Sequence, residues 1–124
     1  MSVLEDTGYR SFVPNGAIDK FILVKLSADN TVSAAGLAEE PIGVVVDESY
    51  ASGAGSESVT VALLSKGGTI KCVAANAITR GAIVYGRASG KIDDVSTSSA
   101  IQIGVALEAA TATGDIIEVL PKCA

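Results

Sequence analysis

Short apolar runs dominated by Val, Ile and Thr recur along the chain, and Gly, Ser, Asn and Asp interrupt them roughly every eight to twelve residues. β-Branched side chains favour a pleated backbone and turn formers end each run. The spacing therefore predicts an all-β fold, a compact barrel or sandwich of about eight short strands. Strands are expected at 9–13, 21–26, 42–47, 58–64, 69–73, 82–85, 101–108 and 116–120. Helical periodicity is weak throughout. Only 34–40 and 109–113 carry enough Ala and Glu for a helical turn, and both are too short to persist alone, so they are read as connections.

Laid on itself with a shift of about sixty residues, the chain repeats. Gly16-Ala17-Ile18-Asp19-Lys20-Phe21-Ile22-Leu23-Val24 aligns with Asn76-Ala77-Ile78-Thr79-Arg80-Gly81-Ala82-Ile83-Val84. Ala28-Asp29-Asn30-Thr31-Val32 meets Ala88-Ser89-Gly90-Lys91-Ile92, in each case a polar hairpin tip that leads into a β-branched position. Ile42-Gly43-Val44-Val45-Val46 meets Ile103-Gly104-Val105-Ala106-Leu107. The repeats run approximately over 9–64 and 69–120 of a single β domain covering 1–124. Each is expected to be a four-strand unit whose apolar face the other covers. The whole is then pseudo-symmetric, with Gly43 and Gly104 at equivalent bends or bulges.

Composition narrows the function. Of 124 residues, 48% are hydrophobic and 19% charged, with 13 Gly and 3 Pro, enough apolar material for a core and unlike a disordered or collagen-like chain. Nine Lys and Arg against 14 Asp and Glu give a net charge of −5, a poor match for phosphate, so no nucleic acid is expected as a partner. With no His, the chain lacks His-based acid/base catalysis, Ser-His and Cys-His nucleophile pairs and the commonest zinc ligand. Cys72 and Cys123 form no Cys-x-x-Cys pair; a small buried hydrophobe and a thiol near the tail are expected. No charged leader opens the chain and no apolar run reaches membrane-spanning length, so the expectation is a soluble, cytosolically made protein with no membrane partner.

Candidate chemistry is sparse. The acidic pairs Glu39-Glu40, Asp47-Glu48 and Asp93-Asp94 are adjacent in sequence, and neighbours on a strand point to opposite faces, so they are read as solvated turns. Gly53-Ala54-Gly55-Ser56 lacks the Lys-Ser/Thr and the helix of a phosphate loop, and Lys66-Gly67-Gly68 is a linker. Lys91 at its hairpin tip resembles the modified lysine of lipoyl and biotinyl carrier domains, yet Ser89-Gly90-Lys91-Ile92 lacks their Met-Lys or Asp-Lys frame. No catalytic residue, metal ligand or cofactor is expected.

Residues 75–85, then Ala88-Ser89-Gly90-Lys91-Ile92, Ile103-Gly104-Val105-Ala106-Leu107-Glu108-Ala109-Ala110 and Gly114-Asp115-Ile116-Ile117-Glu118-Val119-Leu120, resemble the bacteriophage capsid cement, or head decoration, proteins. The resemblance covers 69–120 directly and the first half through the repeat. It implies a non-enzymatic virion protein, made in the host cytoplasm, that binds the outer capsid surface as a homotrimer and stabilises the lattice of the major capsid protein. Alternatives are a non-phage structural or cell-surface β module and a small lipoyl- or biotinyl-like carrier domain. Residues 1–14 differ in composition from the rest and are read as an N-terminal arm, with Leu4, Tyr9, Arg10 and Phe12 as candidate capsid or subunit contacts, because aromatic and Arg side chains are favoured anchors. The competing reading is a frayed terminus followed by an ordinary first strand, with Phe12 and Phe21 as the largest core fillers.

Overall fold

The computed structural model describes residues 8–16, 18–46, 58–64, 68–96 and 100–121. These form ten strands and one 3-10 turn. The strands are β1 (Tyr9–Pro14), β2 (Leu23–Ala28), β3 (Thr31–Ala34), β4 (Gly43–Val45), β5 (Val59–Leu63), β6 (Ile70–Val73), β7 (Ile83–Gly86), β8 (Ile92–Asp93), β9 (Gln102–Ala106) and β10 (Ile116–Pro121), and the turn is Ala88–Gly90. The fold is all-β. The stretches 34–40 and 109–113 are turns and extended links.

The first five strands close into a barrel in the order β1-β3-β2-β4-β5. Its seam is a parallel pairing of Val13 and Pro14 with Thr31 and Val32, and every other pairing is antiparallel. The last five form a sheet in the order β6-β10-β9-β7-β8, and a parallel bridge between Ala74 and Ile92 joins its edges. Pairing is equivalent in the two halves. Pro14 faces Val32 as Ala74 faces Ile92, Leu26 faces Val32 as Gly86 faces Ile92, and Phe12 faces Val59 as Cys72 faces Ile117. Even the positive φ of Phe21, 65°, recurs at Gly81, 87°. Two five-strand units thus replace the expected four-strand ones. The additional strands, β3 and β8, grow out of the segments read as hairpin tips.

Each unit curls around its own interior, whereas the sequence suggested two faces sharing one core. Phe12, Ile18, Ile22, Val24, Val32, Val45, Val59 and Val61 fill the first barrel. Ile70, Cys72, Ala74, Val84, Ile92, Ile103, Ile117 and Val119 are prominent in the second interior. Side chains alternate across a strand, so Phe12 and Pro14 point inward while Ser11 is exposed. Burying each Val, Ile or Leu contributes about 1.5–3 kcal/mol.

The bend glycines are explained by close approach of chains. A Cβ on Gly43 would collide with the carbonyl oxygen of Ala62 and lie 2.7 Å from Val61 Cγ1. At Gly104 it would collide with the carbonyl oxygen of Leu120 and lie 2.8 Å from its carbonyl carbon. Gly104 also adjoins a register shift between β7 and β9, whereas no shift marks the pairing of Gly43.

Candidate functional site

The residues singled out near the N-terminus separate in the structure. Leu4 lies outside the described residues. Tyr9 opens β1, is exposed, and pairs with Ala62 on β5. Arg10 lies with its guanidinium 4.7 Å from the centre of the Phe12 ring, and its Nη2 donates to Asn30 Oδ1 at 3.4 Å. Phe12 is 2% exposed inside the first barrel and presents nothing to a partner; closing the sheet leaves no outer surface for an inward position of β1. Residues 9–14 are therefore an integral wall of the barrel, and an arm that docks from outside would end before Tyr9.

Two further readings change. Asp93 is 1% exposed rather than solvated. Its Oδ2 accepts from Asn76 Nδ2 at 2.9 Å and lies 3.6 Å from Arg87 Nε, and its Oδ1 accepts from the backbone amide of Asp94 at 2.7 Å. The side chain reaches in from β8, and a carboxylate so enclosed by donors acts as a structural brace. Lys91 follows a tip that is not free: Gly90 donates its amide to the carbonyl of Ala35 at 2.7 Å, pinning the turn to the first barrel. A carrier lysine must stand on a tip that a modifying enzyme can grip from all sides, so a turn packed against the first barrel argues against the carrier alternative.

Glu39, by contrast, is exposed and forms an ion pair with Lys25. The Lys25 ammonium and the Gly36 amide, which donates to Oε1 at 2.6 Å, hold its carboxyl below the ordinary range. Asp115 is held low by the amide and hydroxyl of Thr111 and the amide of Ala112, at 2.8, 3.0 and 3.2 Å from Oδ2. Both are turn staples. Glu48 and the loop around Gly53 lie outside the described residues. Among the described residues no three His, Cys, Asp or Glu side chains gather as metal ligands, and no helix is long and apolar enough to cross a membrane.

The surface offers shape and apolar area instead of reactive groups. Between the barrels Phe21 packs against the second interior, and Lys71 Nζ lies 5.9 Å from the centre of its ring. On the second unit Ile83, Val95, Leu107, Ile116 and Leu120 are exposed. These residues were not singled out in the sequence. The signal was nevertheless present, since Ile116-Ile117-Glu118-Val119-Leu120 is apolar on both faces of its strand, although one face of an antiparallel sheet ordinarily meets water.

Comparisons with known proteins agree with this inventory. Curated proteins provide no match. The solved head fiber gp8.5 N base of bacteriophage phi29 shares the fold, with a TM-score of 0.72 at 15% sequence identity over 92% of this chain and 92% of that chain. Residues 11–121, from β1 to the end of β10, match the phage cement protein family. The chain belongs to the phage cement proteins.

Proposed function

We propose that this protein is a non-enzymatic component of a phage head. It binds the outer surface of the assembled shell as a homotrimer and clamps neighbouring copies of the major capsid protein. The observation that carries this reading is the family match, which takes in both barrels. Geometry supports it. A cement subunit needs a stiff body and sticky surface, and the described residues supply a closed barrel packed on a five-stranded sheet, with exposed aliphatic side chains. Each site contributes modestly through buried apolar area, about 25 cal/mol per Å², and repetition over the shell multiplies the effect. The net charge of −5 suits the outside of a head better than the DNA-facing side. Synthesis in the host cytoplasm, before attachment to the virion, follows from the same reading.

The segment before β1, with Leu4, contributes to the grip together with Tyr9 and Arg10, which stand beside it at the start of the barrel wall. Purified protein added to heads lacking it should co-sediment with them up to a fixed number of copies and raise the temperature at which the shells rupture. Absence of saturable binding would overturn the proposal. Deleting residues 2–7, which leaves the Gly8 carbonyl on the Leu63 amide and the pairing of Tyr9 intact, should weaken head binding without lowering the thermal stability of the free protein.

A further inference from the structure

The contact between the two barrels is unsymmetrical. Leu23, Val44 and Ala62 form a row across β2, β4 and β5, each paired directly with the next. They belong with the apolar cluster of the second unit, while their neighbours Val24, Val45 and Val61 fill the first barrel. The second unit covers this outward row. β6 lies against β4 and the 88–90 turn lies against β2. Gly90 makes the approach close, since a Cβ there would lie 2.6 Å from the carbonyl oxygen of Leu23. Ala35, whose carbonyl receives the Gly90 amide, completes the covered face.

The same row exists on the second unit. Ile83, Val105 and Leu120 are paired in the same order across β7, β9 and β10, and Val95 follows Asp93 by two residues as Ala35 follows Ser33. All four are apolar, as their counterparts are, but here Ile83 is 43%, Leu120 42% and Val95 52% exposed. The complementary surface is open on the first unit, where the tip Ala28-Asp29-Asn30 stands exposed in place of the docked turn.

We propose that the Ile83–Val105–Leu120 face is docked by the first barrel of a second copy of this chain, repeating between copies the contact that joins the barrels within each. The argument is that the equivalent face is already occupied by the other five-strand unit of this fold. The differences also compensate. Asn30 replaces Gly90 at the tip, so the neighbour seats less deeply, and Leu120 and Val95 replace Ala62 and Ala35, filling the wider gap. In this arrangement β1 of one copy approaches β9 of the next. The contact is head-to-tail, and such contacts close into a ring when the rotation permits. The inference deepens the homotrimer of the proposed function and rests on that reading.

Analytical ultracentrifugation of the full chain at micromolar concentration tests it. The wild type should sediment as one discrete oligomer, and Ile83→Glu and Leu120→Glu should sediment near 12.4 kDa with unchanged circular dichroism; both side chains already meet solvent, so the charge leaves the fold intact. Ile116→Glu, on β10 but outside the row, should remain oligomeric. In a Cys123→Ser background, Ile83→Cys combined with Asn30→Cys should give disulfide-linked chains, whereas Ile83→Cys alone should not. A wild type that stays monomeric, an Ile83→Glu variant that sediments as the wild type, or cross-linking by Ile83→Cys alone would overturn the proposal. Head binding is read separately. A monomeric wild type that binds heads and loses them on Ile83→Glu assigns the face to the shell, and overturns this inference and the trimer while leaving the attachment to heads standing. An oligomer that follows the expected pattern but ignores heads overturns the proposed function instead.

Discussion

Asp93 places a carboxylate where the surrounding chain supplies two donors, the side chain of Asn76 and the amide of Asp94, and a countercharge, the guanidinium of Arg87. Asp93→Ala leaves those groups without their acceptor and should cost about 2 kcal/mol, measured by chemical denaturation. Its neighbour in sequence, Asp94, lies just past β8 and is half-buried, so adjacent acids receive different environments. A turn-like Asp-Asp pair hid this, because burial of the first depends on a register formed with Tyr85 on β7. Cys72 was easier to foresee, as a small apolar position in a strand; burial pushes its thiol up to about 12. In a Cys123→Ser variant a thiol reagent should therefore label Cys72 only as fast as the protein unfolds. Asp115 carries a pH consequence. Its folded value lies below the ordinary 3.8, so the stabilisation is complete above that value and disappears as pH falls through the lower folded one. The protection of the Thr111 and Ala112 amides, measured against their intrinsic exchange rates, should fall below about pH 4 and stay level above it.

At the scale of strands, the eight expected from periodicity all form, with shifted ends. The two that were missed follow from their length: β3 has four residues and β8 two, too few for an alternation to show. Their existence depends on the turns before them, where Asn30 and Gly90 take positive φ of 58° and 73° and reverse the chain. Gly43 and Gly104 were legible as special because they recur, although the reason, two backbones pressed together, became visible only with β5 and β10 in place. Gly43→Ala and Gly104→Ala should each destabilise by about 1–3 kcal/mol in urea titrations, since the obstructing atoms include backbone that has no rotamer to adopt. Phe21 is a further case. Its backbone conformation is one that suits the Gly found at the matching position 81, and its ring is retained because it packs between the units.

For the molecule as a whole, duplication was readable from the Ala-Ile and Ile-Gly-Val pairs repeating in one order. How the copies pack was not, because the same row of aliphatic residues is interior in one copy and exposed in the other. With Leu23, Val44 and Ala62 covered by the second unit, neither barrel should melt alone. Calorimetry should show one transition, and Phe21→Gly should lower its midpoint without splitting it. The two seams are nevertheless unequal. The first barrel is sealed by two paired residues on each edge and by an Asn15 amide donating to Val32 at 2.8 Å; the second has one bridge and an Ala75 amide donating to Ile92 at 2.7 Å. The second seam therefore opens locally more readily than the first, a fraying that does not require the two units to separate.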